Sequence, residues 1–267
     1  MDKLSKARSE LREMDALAAG NSPVHRLHPL CKLLATVAYI ATVVSFPKYR
    51  FSALAVMVLY PVLMFQAAGI PVGLCFYRLR FVLPLVCAVG LANPFLDRTV
   101  VLRLGALTVT GGVVSMVTLM MKGVFSLMAS FLLIATTPMD SLCAALRKLR
   151  VPGVLVTLLL LTYRYIGVML EQVAVMTEAY KLRAPGQKGI HISAWGSFLG
   201  QLLLRSMDRA EELYGSMRLR GFRGEFHYAR VPKCRASGVL WTVGCAAAFL
   251  LARLVDIPTL LGGLLVR

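Results

Sequence analysis

Acidic residues are scarce in this chain of 267 residues: 13 Asp and Glu stand against 30 Lys and Arg. The long apolar runs hold no paired carboxylates, and Phe51 to Tyr77 carries no charge of either sign. An ion-driven carrier needs buried Asp, Glu or His along its path. None is laid out here, so energy for any transport has to enter from outside the bilayer. A GxxxxGK[ST] phosphate loop is absent, which excludes ATP binding by that route. HExxH and zinc-type Cys/His spacings are absent too. The six cysteines (Cys31, Cys75, Cys87, Cys143, Cys234, Cys245) form no CxxC pair and read as reduced small hydrophobes. Of four histidines, His25 and His28 could share one turn and reach a metal, but a hydrogen-bonded or solvated pair is the simpler reading. No catalytic residue, metal site or cofactor is expected.

What is present is apolar surface. A hydrophobic fraction of 58% and a mean hydropathy of +0.70 mark an all-α polytopic membrane protein. The formal net charge of +17 would suit nucleic acid in a soluble protein. In a membrane protein it marks the cytoplasmic side, so the bilayer, and not nucleic acid, is the expected partner.

Residues 1–29 read as a polar cytoplasmic leader without the apolar stretch of a cleavable signal. Residues 30–136 supply four transmembrane helices. The first, about Leu30–Phe46, has Lys32 snorkelling at its start, and a turn follows at Pro47–Arg50. The second lies within Phe51–Tyr77, ending near Gly69–Pro71 before a short connector. The third, about Phe81–Phe95, contains Pro84 and Asn93-Pro94, which predict a kink or an early stop. Asp97 to Thr110 alternates as an extracellular hairpin. The fourth, about Val113–Thr136, carries Lys122 a third of the way in. Residues 236–267 give the last transmembrane helix and a tail. The result is about five crossings, with the N-terminus inside and the C-terminus outside.

Residues 137–235 are a cytoplasmic module of long amphipathic helices. Thr137-Pro138 predicts a capped helix start. Val151–Ala174, the apolar part of a long helix Val151–Arg183, is apolar enough to resemble a further span. Its aliphatic residues favour insertion by about 5 kcal/mol, while Arg164 and Glu171 near the centre each oppose it by about 2.5–3.5 kcal/mol. Basic residues on both flanks decide the matter: Arg147, Lys148 and Arg150 precede it, and eleven Lys or Arg lie from Lys181 to Arg235. A helix with both flanks cytoplasmic does not cross, so this one is predicted to lie at the cytoplasmic face. In Phe198–Gly224 the residues Leu203, Met207, Ala210, Tyr214, Met217 and Gly221 form one apolar helix face.

Two helix endings in this module are alike. Ala179-Tyr-Lys-Leu-Arg183-Ala184 and Ser216-Met-Arg-Leu-Arg220-Gly221 each place a small residue one turn before an arginine and another after it. Small residues there let a partner surface approach closely, and Gly221 suits a left-handed cap.

With these motifs the chain resembles the transmembrane T component of energy-coupling factor (ECF) transporters, of the cobalt-type CbiQ kind. "HRLHPLCKLL", "TTPMDSLCAALRKLRVPGVLVTLLLLTYRYIGVMLEQ" and "LGQLLLRSMDRAEELYGSMRLRGF" carry the resemblance. Ala184 replaces the glycine and Ser216 the alanine of the family's Ala-x-x-x-Arg-Gly pattern, and His28 stands where the family usually has Asp. The resemblance implies a non-catalytic, multi-pass scaffold in the inner (plasma) membrane. Ala179, Arg183, Ala184, Ser216, Arg220 and Gly221 would dock on two ABC-type ATPase subunits. Met207, Tyr214 and Met217 would pass motion to a membrane substrate-binding subunit, an S component of the metal type. Two alternatives are a T component shared by vitamin-type importers, and a basic membrane protein or enzyme acting at anionic lipid headgroups.

Overall fold

A computed structural model describes residues 3–47, 51–80, 82–96, 100–104, 107–187, 189–224 and 236–254. In chain order its first elements are α1 (Lys3–Ala18), α2 (Pro29–Ser45), α3 (Phe51–Val56), α4 (Leu59–Ala68), α5 (Val72–Leu79) and α6 (Leu83–Leu96). A hairpin of β1 (Val100–Leu104) and β2 (Leu107–Thr110) leads to α7 (Gly111–Thr136). Then follow α8 (Met139–Lys148), α9 (Gly153–Arg183), α10 (Ile192–Leu219) and α11 (Ala236–Leu254). Contacts divide the chain into two units, residues 18–137 with 232–267, and residues 1–17 with 138–231.

The first unit is built on α7, whose 26 residues, most of them apolar, give neighbouring helices a full-length surface. Helices α2, α3, α4 and α6 pack on it, and α11 packs on α2. The centre gathers Tyr39, Val43, Phe46, Leu54, Met57, Phe125, Ala129 and Phe249. The rings of Tyr39, Tyr60 and Phe249 stand 4.7–5.3 Å apart. The buried Tyr39 hydroxyl donates to the Met57 carbonyl at 2.8 Å, so no polar atom of that side chain is stranded.

Two lysines bind α2 and α7 to each other. Lys32 is only 4% exposed, and its Nζ donates to the Thr136 carbonyl at 2.6 Å. Lys122 donates to the carbonyls of Phe46 and Val44 at 2.6 and 3.0 Å. Each ammonium thus reaches the carbonyl-rich C-terminal end of the other helix, where a cation meets the negative end of the dipole. The snorkelling expected of Lys32 does not occur, because an unsatisfied helix end lies within its reach. His28 caps the start of α2: its Nδ1 accepts from the Leu30 N–H at 3.1 Å, the task an aspartate performs at such a position. His25 Nδ1 lies 2.7 Å from the Ser22 hydroxyl.

The apolar helices differ in length from the expected spans. Among the described residues three are long and apolar enough to cross a bilayer alone: α7, α9 and α11. The apolar helix of the predicted second span ends at Ala68, beside the expected Gly69–Pro71. Residues Leu54–Ala68 and Val72–Leu79 meet at 114° after the left-handed Gly69, so the connector is itself a helix. Helix α2 has 17 residues and α6 has 14. Pro84 falls in the first turn of α6, where a missing N–H costs nothing, and the helix runs through Asn93-Pro94 to end two residues later. The hairpin pairs Val100 with Thr110 and Leu104 with Leu107. Residues 97–99, 105–106, 48–50 and 225–235 (with His227 and Cys234) lie outside the described residues.

In the second unit α8 packs on α9. Thr137 does not cap α8: Pro138 is the N-cap residue, and the buried Thr137 hydroxyl has no hydrogen-bond partner among the described residues. The predicted leader contains a 16-residue helix, α1. Arg8 pairs with Glu171 at 2.7 Å, and Tyr163 donates to Asp15 at 2.6 Å. Two turns forward on α1 are two turns back on α9, so the helices run antiparallel. The less exposed positions Ala7, Leu11, Met14 and Ala18 follow the helical period.

Candidate functional site: two crossed helices and their arginine ends

Helix α9 runs unbroken for 31 residues to Arg183, where the Ala184 N–H closes the last turn on the Tyr180 carbonyl at 3.0 Å. The chain turns through Gly186 and Gly189, both with positive φ, and re-enters a helix at His191. His191 is the N-cap of α10, its Nδ1 accepting from the Ser193 N–H at 3.3 Å. Helix α10 therefore starts six residues before the apolar pattern begins.

The two helices run antiparallel and touch around Gln172 and Arg205, where Arg205 Nη1 donates to Gln172 Oε1 at 3.2 Å. They part on either side of that point. A groove of about 450 Å³ lies towards the end of α9, lined among others by Ala179, Tyr180, Arg183, Ala194 and Arg205. A second, of about 310 Å³ and almost wholly apolar, lies towards the end of α10 and takes in Tyr165, Met169, Ala210, Tyr214 and Met217.

The end of α10 is a complete glycine cap. Gly221 has φ +80°, its N–H donates to the Arg218 carbonyl at 3.0 Å, and the Phe222 N–H donates to the Met217 carbonyl at 3.0 Å. This pair of bonds requires a left-handed residue at position 221, which glycine takes without strain. It leaves Arg220 as the exposed cap residue. One turn earlier the Ser216 hydroxyl folds back on the Glu212 carbonyl at 2.8 Å, so its small side chain adds no bulk.

Arg183 and Arg220 are both exposed, and the structure does not bring them together. Arg183 lies near the start of α10 and Arg220 at its far end, about 40 Å away for a helix of 28 residues. Ala179 shares the larger groove with Arg183, and Ala184 is the cap residue beyond it. Of the apolar stripe, Ala210, Tyr214 and Met217 line the smaller groove and Met207 does not, while Met207 and Tyr214 are equally exposed, at 54% and 55%. Helix α10 has no buried residue at all. The Arg218 guanidinium stands 5.9 Å over the Tyr214 ring. Sequence reasoning missed α1 and the Tyr180–His191 linkage. The Ala7–Leu11–Met14–Ala18 spacing would have revealed the first.

With that geometry in view, the comparisons with known proteins are decisive for family. The model of the cobalt transport protein family, CbiQ, matches residues 20–228. The chain belongs to that family. The match contains α9, α10 and both arginine ends. Among curated relatives, the cobalt transport protein CbiQ of Rhodobacter capsulatus is 32% identical over 123 residues, 45% of this chain and 50% of that protein. The nickel permease LarQ of Lactiplantibacillus plantarum is 34% identical over 95 residues, 36% of this chain and 34% of that protein. The energy-coupling factor transporter transmembrane protein EcfT of Listeria innocua is 27% identical over 220 residues, 77% of this chain and 82% of that protein. The chain thus spans half or less of the length of the first two. Family membership and the apolar helices together make this a multi-pass membrane protein of a transport family.

Proposed function

We propose that the chain is the energy-coupling transmembrane scaffold of an ATP-driven ECF-type importer. On this reading it has no catalytic site of its own. It passes conformational change from two ABC-type ATPase subunits to a membrane substrate-binding subunit, for cobalt or nickel uptake. The observation that carries the reading is the pair of exposed arginines, Arg183 and Arg220, each ending one of two crossed helices beside small residues. An exposed guanidinium on a rigid helix end suits bidentate docking on a carboxylate of another protein. Removing one partner of such a contact, once buried, costs about 2–5 kcal/mol. The exposed Met207 and the grooved Tyr214 and Met217 supply apolar surface for the membrane partner.

The test is Arg183→Glu with Arg220→Glu. Cobalt uptake and ATPase co-purification are both expected to be lost while membrane insertion is retained. Unchanged uptake in the double variant overturns the reading. Arg223→Glu is the control: if it does equal damage, a diffuse basic surface at lipid headgroups explains the arginines better. The long alignment with EcfT favours a second reading, a scaffold shared by several substrate-binding subunits, including vitamin-type ones. Co-purified partners decide between the two: one metal-type subunit or several.

A further inference from the structure

We infer that Tyr180 is a positioning residue that makes the Arg183 end of α9 and the start of α10 move as one body; this deepens the coupling reading above and rests on it. The phenol hydroxyl of Tyr180 donates to Gln187 Oε1 at 3.0 Å and accepts from the His191 backbone N–H at 3.3 Å. One oxygen therefore binds both the middle and the far end of the linker between the helices. His191 is in turn the cap of α10, with Nδ1 accepting from the Ser193 N–H. The backbone of Tyr180 is engaged as well, since its carbonyl closes the last turn of α9 on Ala184.

The linker would otherwise be a hinge. Gly186 and Gly189 hold φ of +91° and +87°, and added Cβ atoms there would meet nothing within 4 Å among the described residues. A helix end carried on such a linker can swing without moving its neighbour. Tyr180 removes that freedom. It stands one turn before Ala184 and shares the larger groove with Arg183. A pull on Arg183 is then delivered through the phenol to His191 and along the rigid α10 towards Arg220.

Tyr180→Phe tests this, because it deletes one oxygen and keeps the ring. Spin labels at Leu182→Cys and Ile192→Cys, where the native residues are 83% and 87% exposed, report the linker directly. With the complete complex in vesicles, Tyr180→Phe is expected to broaden the label distance distribution and to lower cobalt taken up per ATP hydrolysed about five-fold, the factor worth one net hydrogen bond. Gln187→Ala, which removes one of the two partners, is expected to give a smaller change in both. An unchanged distance distribution overturns the inference, and so does a broadened one with an unchanged uptake-to-hydrolysis ratio. Failure of the coupling reading is separate: it shows as ATPase association surviving Arg183→Glu/Arg220→Glu.

Discussion

Lys32 and Thr136 are 104 residues apart in sequence and 2.6 Å apart in space, an ammonium set on the last carbonyl of α7. Lys122 repeats the arrangement in the opposite sense on the end of α2. A buried cation is costly unless its protons are met, and a helix C-terminus has carbonyls to spare. Each problem resolves the other.

Lys32→Met is accordingly expected to destabilise the protein by about 1.5–3 kcal/mol, the worth of a charged hydrogen bond, and Lys122→Met by a similar amount. The buried thiols of Cys31 and Cys75 give the readout, since a thiol-reactive dye labels them only on unfolding in detergent. Labelling midpoints equal to wild type would show that neither lysine bears load.

Helices α6 and α7 touch closely enough to exclude a methyl group. A Cβ built on Gly123 would lie 2.6 Å from Val86 Cγ1. Gly123→Ala should cost about 1–3 kcal/mol by overpacking, in the manner of small residues at membrane helix contacts. Val86→Ala in the same chain should restore most of it. If the double variant is no better than Gly123→Ala alone, Val86 is not what excludes the methyl group.

Arg150 holds φ +64° just past α8, with its N–H on the Arg147 carbonyl at 3.0 Å and the Val151 N–H on Leu146 at 3.3 Å. These are the bonds of a glycine cap made by an arginine. Arg150→Gly should stabilise the protein by about 1 kcal/mol, whereas Arg150→Ala keeps the strained backbone and should not. Dye labelling of Cys143, buried in α8, measures both.

Helix α9 is long and apolar enough to cross a membrane, while its flanking charge argues that it stays on one side. Leu149→Cys and Leu182→Cys bracket it at exposed positions. Both are expected to react with an impermeant maleimide from the cytoplasmic side alone. Reaction of either from outside would make α9 a span.

The sequence by itself determined which segments are helical and apolar, where basic residues cluster, and where α10 ends. Those properties are local: a run of aliphatic side chains, a count of charges, and a glycine after Leu219-Arg220 act without reference to distant residues. The motif of arginine between small residues was legible for the same reason. Tertiary structure decided what Lys32 and Lys122 do, because the carbonyls they meet lie on another helix. It also decided that the polar leader would hold α1 against Glu171 and Tyr163, that α4 would break sharply into α5, and that Tyr180 would span the linker to His191. Each of these is a choice among partners far apart in the chain, made by which ends come within hydrogen-bond reach once the helices pack.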